Sequence, residues 1–443
     1  MLIPAQFKRH ITRLEQSIDS AEDVVIQGTI VRISGFMIEA VGLYVSVGSI
    51  CKIYIANSPQ HILAEVIGFS NDLTHLMAYE EVMGILPGST IYFSSKLLRV
   101  PVDRSLLGRV LNGLCEPIDN KGPLTTHDYY ELYSQAVNPI RRTRISKPID
   151  VGVRAINALI TVGHGQRLGL FAGSGVGKSI LLGMITRFTK ADVVIVGLIG
   201  ERGREVKEFI EENIGLDNLN KTVIIAAPVD TSPLMRANGA MVATTIAEYF
   251  RDQGLHVLLI VDSLTRYAQA LRQVYLTLGE IPGSKGFSPS VFSKISQLVE
   301  RAGNGMETQG SITAFYTVLT EGDDMNDPIA DHARSILDGH IVLSRQLADS
   351  GHYPAIDIAS SISRVMTSIL PKQHINQIHK FKRLFSAFQE NQDLIKMGMY
   401  QAGSDSLVDE SIKHHEKMLN YLRQGMDDHE HFEQNMAELM ELF

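Results

Sequence analysis

A glycine-rich loop between an apolar strand and a helix constrains the fold of this chain most. Residues 167–189, RLGLFAGSGVGKSILLGMITRFT, indicate a strand, then the loop, then a helix. Glycines in such a loop let backbone N–H groups approach a phosphate, and the positive end of the following helix favours the same anion. This strand–loop–helix context distinguishes a phosphate-binding loop from a chance run of glycines.

The loop residues have separate tasks. Lys178 can reach the terminal phosphates of a nucleotide, and the Ser179 hydroxyl can ligate Mg²⁺. Ala172 departs from the strict G-x-x-x-x-G-K-[ST] pattern, but that position mainly shapes the turn and alanine is the next smallest residue. The nucleotide-binding residues that we predict are Ala172, Gly173, Ser174, Gly175, Val176, Gly177, Lys178 and Ser179.

Two carboxylates follow apolar strands of the same segment. Asp262 ends the strand HVLLIVDS, where it can orient Mg²⁺, and the alternative is a cap on the next helix. Glu201 lies just beyond the strand in DVVIVGLIGE. Because ligands of open α/β sheets bind at strand ends, Glu201 can act as the general base that polarises the attacking water. Its alternative is a surface turn of salt-bridged charges.

The distribution of β-branched, apolar and polar segments along the chain predicts an α/β fold with three domains and a terminal helix. Short β-branched segments indicate a small N-terminal barrel: VVIQGTIVRIS, LYVSV, CKIYI, ILAEVIGF and STIYFSS. Five apolar strands alternate with helices and predict a P-loop core with a parallel sheet: RLGLFAG, DVVIVGLIGE, KTVIIAAPVD, HVLLIVDS and SITAFYTVL. The expected segments are an amphipathic helix (1–22), the barrel (23–96), the core (97–365) and a C-terminal helical domain (366–443).

Composition narrows the setting. The net charge of −8 argues against non-specific nucleic-acid binding as the main task. Two cysteines in 443 residues, and no apolar run of 18 residues, lead us to expect a cytoplasmic protein. The apolar stripe of the N-terminal helix has three open interpretations, which are docking on the chain's own body, binding of a partner, and contact with a membrane surface. Its members are Phe7, Ile11, Leu14 and Ile18.

Several longer strings resemble the catalytic ATPases of type III secretion, which are relatives of the catalytic β subunit of rotary F-type ATP synthases. The strings are GERGREV, VDSLTRYAQALR, EGDDMNDPIADHARSILDGHIVLSR and HYPAIDIASSISRVM. GERGREVKEFIE and LVERAGNG are most similar to the flagellar branch of the family. The resemblance runs from about residue 25 to the end, is strongest over 97–366, and includes the loop AGSGVGKS with its Ala172.

The resemblance implies a role for each matching residue. Glu201 matches the residue that activates water, and Asp262 matches the carboxylate near the metal. Arg266 matches an arginine close to the phosphates, and Tyr353 matches the aromatic residue that stacks on adenine. Arg364 matches the arginine finger, which in this family reaches the nucleotide of the adjacent subunit. The implied ligands are ATP and Mg²⁺.

The resemblance also implies an assembly. It leads us to expect a homohexamer at the inner-membrane export gate, peripherally associated with the membrane, which hydrolyses ATP to drive unfolding and entry of exported flagellar subunits. The implied partners are export-apparatus proteins, a negative regulator or stator protein at the N-terminal helix, a central stalk protein, and export substrates with their chaperones.

Four other functions stay open at this point. They are a virulence secretion ATPase, the catalytic subunit of a rotary synthase, a hexameric RNA translocase, and a nucleotide binder without hydrolysis. Because the chain carries both Glu201 and Arg364, it can supply base and finger to itself, which disfavours the synthase and the silent binder. Residues 23–96 hold only three basic residues, Arg32, Lys52 and Lys96, which disfavours an RNA-binding barrel.

Overall fold

The computed structural model describes residues 25–55, 58, 60–320 and 327–443. It divides the chain between Leu97 and Leu98 into two compact units. The segment 1–22, for which the sequence predicts an amphipathic helix, lies outside the described residues. Each unit buries its own hydrophobic core.

Six antiparallel strands close the first unit into a barrel. They neighbour one another in the order β1-β2-β5-β4-β3-β6, and β6 pairs with β1. Their apolar side chains fill the interior, as in Ile38, Ile53 and Leu76, because successive residues of a strand point to opposite faces. The predicted barrel is confirmed. The strands are β1 (Gln27–Ser34), β2 (Met37–Val41), β3 (Ile50–Tyr54), β4 (His61–Ser70), β5 (Leu73–Ala78) and β6 (Thr90–Ser95).

One predicted strand of the barrel, LYVSV at 43–47, is wrong. The segment is the connection between β2 and β3. Leu43 is only 2% exposed and packs against Gly28, where an added Cβ would lie 2.6 Å from the Cβ of Leu43. The pattern therefore comes from a loop in which Leu43 and Val45 pack on the barrel core, whereas Tyr44 and Val47 are exposed. The pattern also missed β2 and β5, which pair with each other between β1 and β4.

A nine-stranded sheet forms the centre of the second unit. Its path is β17-β16-β10-β15-β13-β11-β12-β8, with β14 paired to β15. β17 and β14 pair antiparallel to their neighbours, and the other pairs are parallel. Two further strands, β7 (Arg99–Val102) and β9 (Asp128–Glu131), pair with each other outside this sheet. The strands of the sheet are β8 (Val110–Leu111), β10 (Arg167–Ala172), β11 (Val193–Ile199), β12 (Thr222–Ala227), β13 (His256–Asp262), β14 (Gly303–Asn304), β15 (Ser311–Leu319), β16 (Gly339–Leu343) and β17 (Ile356–Ser363).

The five predicted core strands are confirmed as β10, β11, β12, β13 and β15. All seven residues of β11 and all six of β12 are buried, since helices cover both faces of the sheet. Strands β8, β14, β16 and β17 were not predicted. Two of them contain two residues each, β16 has only the short apolar run IVL (341–343), and β17 is an edge strand with three exposed residues.

Twelve α-helices are described in the second unit, and the last three compose most of the C-terminal part. Phe381 and Tyr421 of that part belong to the same hydrophobic core as the sheet strand β10. Within the described residues, no helix is long and apolar enough to cross a membrane. The helices are α1 (Arg154–Leu159), α2 (Lys178–Phe188), α3 (Gly203–Glu208), α4 (Pro233–Asp252), α5 (Leu264–Thr277), α6 (Pro289–Arg301), α7 (Pro328–Ile336), α8 (Arg345–Asp349), α9 (Met366–Ile369), α10 (Lys372–Lys396), α11 (Ser406–Leu422) and α12 (Phe432–Glu441); a π-helix, Phe209–Ile214, continues α3.

The parallel pairing brings strand ends together at one edge of the sheet. Leu198 of β11 lies beside Asp262 of β13, and Ala172 of β10 lies beside Leu319 of β15. The loops that follow β10, β11 and β13 therefore converge. These loops carry the predicted phosphate site, which explains why residues far apart in the sequence can act together.

A buried ion pair joins α4 to α6. The guanidinium of Arg301 donates two hydrogen bonds to the carboxylate of Glu248, at 3.0 and 2.7 Å. It also donates to the carbonyl of Leu132 and the hydroxyl of Thr245. Because both side chains are about 5% exposed or less, every polar group depends on its partner.

We expect Arg301→Ala to lower the free energy of unfolding by about 3–5 kcal/mol, because it leaves the carboxylate of Glu248 buried without its counterion. Urea denaturation measures the change. The control is Arg204→Ala, which removes the exposed 2.6 Å pair with Glu208 and should cost far less, because water screens that pair. Equal losses in the two variants would contradict the expected importance of burial.

Candidate active site

The predicted phosphate loop connects the end of β10 at Ala172 to the first residue of α2, Lys178. Gly175 and Gly177 have φ angles of 76° and 86°, which residues with a Cβ rarely adopt. Within the described residues no side chain caps the start of α2. The first N–H groups of this helix therefore remain available to an anion.

The remaining loop residues divide into a buried set and an exposed set. Val176 is 1% exposed and anchors the loop in the core. Gly173 is also buried, whereas Ser174 and Ser179 are exposed. Ser179 is thus accessible to solvent in the first turn of α2.

Lys178 joins the two candidate carboxylates. Its ammonium Nζ lies 2.5 Å from Oδ1 of Asp262 and 3.4 Å from Oε1 of Glu201. The side chains are 13%, 4% and 12% exposed, respectively. Burial disfavours the charged ammonium, but the two carboxylates outweigh it and raise the pKa of Lys178. The charged lysine is therefore held at the mouth of the loop.

Glu201 follows β11 after a single glycine. Burial raises the pKa of Glu201 to about 7; Lys178 opposes this shift, and the nearby carboxylate of Asp262 adds to it. The guanidinium Nε of Arg266 lies 3.9 Å from Oε1 of Glu201. Arg266 packs closely on the turn, since a Cβ added to Gly200 would come within 2.7 Å of its Cδ. The alternative of an exposed surface turn does not describe Glu201, which is mostly buried.

Asp262 ends β13 with its carboxylate buried. Its Oδ1 accepts a hydrogen bond from the Thr317 hydroxyl at 2.6 Å, besides the contact with Lys178. The side chain that caps α5 is the next residue, Ser263, whose hydroxyl accepts from the N–H of Arg266 at 3.2 Å. The capping alternative for Asp262 is therefore wrong.

Tyr353 lies against the same loop. Its ring would be 3.3 Å from a Cβ added to Gly177, and 46% of the residue is exposed. The carbonyl of Tyr353 accepts a hydrogen bond from the N–H of Gln424 at 3.1 Å. The Gln424 side chain donates to the carbonyl of Gly152 and accepts from the N–H of Arg154, both at 2.9 Å. The C-terminal helical part thus contacts the backbone that carries the exposed aromatic ring.

Arg364 is not part of this cluster. It follows β17, where Ser363 pairs with Gly339, and its N–H donates to the carbonyl of Asp338. The phosphate loop instead begins at the level of Leu343, four residues beyond Gly339 along β16, or about 13 Å along the strand direction. Arg364 is exposed, and its guanidinium donates to the carbonyl of Arg334 at 3.0 Å. Arg364 therefore lies near the amino ends of the parallel strands, whereas its own phosphate loop follows the carboxyl end of β10.

The donors at the site suit a hard divalent cation. The Ser179 hydroxyl and the Asp262 carboxylate are oxygen donors, which Mg²⁺ prefers. In the described part of the chain, no group of three or more His, Cys, Asp or Glu residues could hold a metal ion by itself. Two protein oxygens with phosphate and water oxygens are the usual ligands of Mg²⁺ at a nucleotide, so these residues fit it.

Three family models match successive segments of the chain. The model of the ATP synthase alpha/beta nucleotide-binding domain matches residues 152–363, and the beta-barrel domain of that family matches 30–95. The T3SS EscN ATPase C-terminal domain matches residues 370–441.

Similar proteins extend over nearly the whole chain. The flagellum-specific ATP synthase of Pseudomonas aeruginosa is 50% identical over 98% of this chain and 97% of its own length. The chain belongs to the type III secretion ATPase family. The flagellum-specific ATP synthase of Salmonella typhimurium is 52% identical, with 94% of this chain and 93% of the relative covered.

Solved structures of the family have the same fold. The assembled ATPase EscN of the enteropathogenic E. coli type III secretion system matches with a TM-score of 0.88 and 42% identity, covering 94% of this chain and 99% of EscN. EscN in complex with its central stalk EscO matches with a TM-score of 0.86 over the same shares. Like its family, this chain is an ATP-hydrolysing enzyme.

Three contacts of this type III secretion ATPase were missed by sequence reasoning. Thr317 bonds to Asp262, Gln424 bonds to the backbone of Tyr353, and the exposed Arg345 donates to the carbonyl of Ser174 in the phosphate loop at 3.1 Å. Only Arg345 has a sequence signal, since a basic residue follows an apolar strand in HIVLSR. Thr317 and Gln424 stand in segments where nothing marks them.

Proposed function

We propose that this chain is the ATPase of a flagellar type III protein export apparatus and couples ATP hydrolysis to unfolding and entry of the exported subunits. The arrangement of Lys178, Asp262 and Glu201 at the mouth of the phosphate loop carries the catalytic part of this proposal. Greater identity to the flagellum-specific relatives than to EscN supports the flagellar branch over the virulence branch.

Binding of the triphosphate changes the partners of Lys178. Its ammonium bonds to Asp262 and Glu201. The β- and γ-phosphates bring several negative charges to the same place and accept hydrogen bonds from the loop N–H groups. Lys178 then bonds to phosphate oxygens, and Glu201 loses its ammonium partner.

The cation site that we propose consists of Ser179 and Asp262. These two residues would hold Mg²⁺, which would supply positive charge against the negative charge that develops during phosphoryl transfer. Asp262 contributes to this site a carboxylate that is buried in the core, and Ser179 contributes the hydroxyl of an exposed residue.

Glu201 is the proposed general base. Its carboxylate orients a water in line with the γ-phosphate and accepts the proton as the bond to phosphorus forms. A pKa of about 7 suits this task, because about half of the base is then deprotonated at neutral pH and a base with a pKa near the working pH can both accept and hold a proton. Arg266, close to Glu201, is the proposed phosphate-proximal cation.

Tyr353 is the proposed adenine platform, because its half-exposed ring lies next to Gly177 of the phosphate loop. The proposed nucleotide contacts are Tyr353 and the loop residues from Ala172 to Ser179, both included.

We propose a homohexamer in which Arg364 acts on the neighbouring subunit. Arg364 is exposed and lies at the sheet edge away from its own phosphate loop, which supports a role in trans. EscN, the similar structure, is described as an assembled ATPase and in complex with a central stalk. We infer the corresponding assembly and a stalk partner for this chain.

The remaining partners follow from the family resemblance. We propose export-apparatus proteins, export substrates with their chaperones, and a negative regulator or stator protein that binds the N-terminal segment. The proposed place is the cytoplasm, peripherally associated with the export gate of the inner membrane, and no nucleic acid is expected as a ligand.

The experiment that tests the flagellar function is complementation. Expression of this chain in a flagellar strain that lacks its export ATPase should restore secretion of flagellar subunits into the medium. Expression in a virulence-secretion strain that lacks its ATPase should not restore effector secretion. The reverse pattern would assign the chain to the virulence branch, and restoration in neither strain would contradict the export proposal.

We expect Lys178→Ala to weaken ATP binding by about 10- to 100-fold, because charged hydrogen bonds to the phosphates contribute about 1.5–3 kcal/mol. Fluorescent nucleotide titration measures the affinity. The control is Lys207→Ala, which removes an exposed lysine paired with Glu211 at 3.8 Å and should leave affinity unchanged. Near-normal binding by Lys178→Ala would refute the phosphate role.

A further inference from the structure

A buried hydroxyl contacts the carboxylate of Asp262. Thr317 lies on β15, which runs between β10 and β13, and the residue is fully buried. Its Oγ1 donates to Oδ1 of Asp262 at 2.6 Å. The pairing of Tyr316 with Val261 brings the two residues to the same level of the sheet. The contact therefore depends on the central strands themselves.

Two donors share one oxygen of Asp262. The Lys178 ammonium, at 2.5 Å, and the Thr317 hydroxyl both bond to Oδ1. The bond from Lys178 is easily exchanged, because the side chain is long and flexible and a phosphate competes for it. The bond from Thr317 is fixed, because this side chain has a single χ angle and lies on a buried strand. When Lys178 turns to the phosphates, the Thr317 bond remains.

We propose that Thr317 is a positioning residue that fixes the orientation of the Asp262 carboxylate during nucleotide binding. The inference rests on the proposed role of Asp262 toward Mg²⁺. A carboxylate that rotates freely loses part of its interaction with a cation, and groups that orient metal-binding side chains typically affect metal affinity by about 10–100-fold. Neither bond at Oδ1 uses the second oxygen, Oδ2, which leaves it for the cation or its waters.

Replacement by valine isolates the hydroxyl. Thr317→Val keeps the branched shape and volume of the side chain and removes the donor. Thr317→Ser keeps the donor and removes the methyl group. A matched control stands four residues earlier on the same strand, where Thr313 is also fully buried and accepts a hydrogen bond from the N–H of Gly165 at 2.9 Å. Thr313→Val therefore makes the same substitution on the same strand away from Asp262, although the hydroxyl that it removes is an acceptor.

The measurement is the contribution of Mg²⁺ to nucleotide affinity. Titration with a fluorescent ADP analogue gives the Kd in EDTA and in saturating Mg²⁺, and their ratio reports the coupling between cation and nucleotide. We expect Thr317→Val to lower this ratio by about tenfold or more. Thr317→Ser and Thr313→Val should retain the wild-type ratio, and thermal unfolding confirms that each variant is folded.

Asp262→Asn separates the two hypotheses. If this variant also loses the coupling, a wild-type ratio in Thr317→Val would overturn the positioning role alone. If Asp262→Asn keeps the wild-type ratio, the proposed Mg²⁺ role of Asp262 falls, and the inference with it. Equal loss in Thr317→Val and Thr313→Val would show a general effect of the buried strand and would also overturn the proposal. Should Thr317→Val not fold, Thr317→Ala carries the same test.

Discussion

Glu201→Gln is expected to lower kcat for ATP hydrolysis by about 10²–10⁴-fold, while nucleotide binding and assembly remain. The amide has nearly the volume of the carboxylate, so the packing around the 12%-exposed side chain is kept. Lys178 also keeps its closer partner, Asp262 at 2.5 Å. What the amide cannot do is accept the proton of the attacking water.

Phosphate release under steady-state conditions measures this loss, and fluorescent nucleotide titration measures binding. The matched control is Glu211→Gln, the same change on an exposed carboxylate of the following π-helix, paired with Lys207 at 3.8 Å. It should retain wild-type turnover. A Glu201→Gln enzyme within about threefold of wild type would remove Glu201 as the base, since a positioned base contributes at least about 10².

The central sheet was predictable because its chemistry is local. Strands such as β11 and β12 are covered on both faces, so each residue in them is buried and the apolar runs are continuous. The phosphate loop was predictable for a similar reason, since Gly175 and Gly177 need backbone angles that other residues avoid. A motif whose ligand contacts all come from adjacent residues is visible in a short stretch of sequence.

The rest depends on contacts between distant segments. β16 and β17 are stabilised by pairing beside β10, and their own residues are partly exposed. The bond from Thr317 to Asp262 joins residues 55 positions apart, so only the strand order reveals it. The raised pKa of Glu201 results from burial and from the carboxylate of Asp262, which the sequence places 61 residues away.

Arg364→Ala is expected to lower ATP turnover by about 10³–10⁵-fold, because an arginine finger stabilises the charge of the transition state. The residue lies at the edge of the sheet opposite the phosphate loop of its own chain, so this loss requires a neighbouring subunit. The control is Arg383→Ala, which removes an arginine from α10, a helix that follows β17 in the sequence. This variant should retain turnover.

A mixture of Arg364→Ala and Glu201→Gln proteins distinguishes action in trans from action in cis. Each protein alone should be almost inactive. In a mixed ring, an Arg364→Ala subunit keeps its own Glu201 and borrows Arg364 from a Glu201→Gln neighbour in the right order. That site then has both groups, so part of the activity should return. Recovery is partial because only some interfaces have this order.

The matched control mixes Glu201→Gln with Lys178→Ala. Both residues lie in one cluster and act on the same bound nucleotide, so every site of that mixed ring lacks one of them and no activity should return. ATPase activity at a series of mixing ratios measures recovery, and native mass spectrometry shows that mixed rings form. We expect activity from the Arg364→Ala mixture to be greatest near equal amounts, because adjacent unlike subunits are then most frequent. Mixed rings that stay inactive at every ratio would contradict the action of Arg364 on a neighbour, since only a finger that serves its own site leaves every site incomplete.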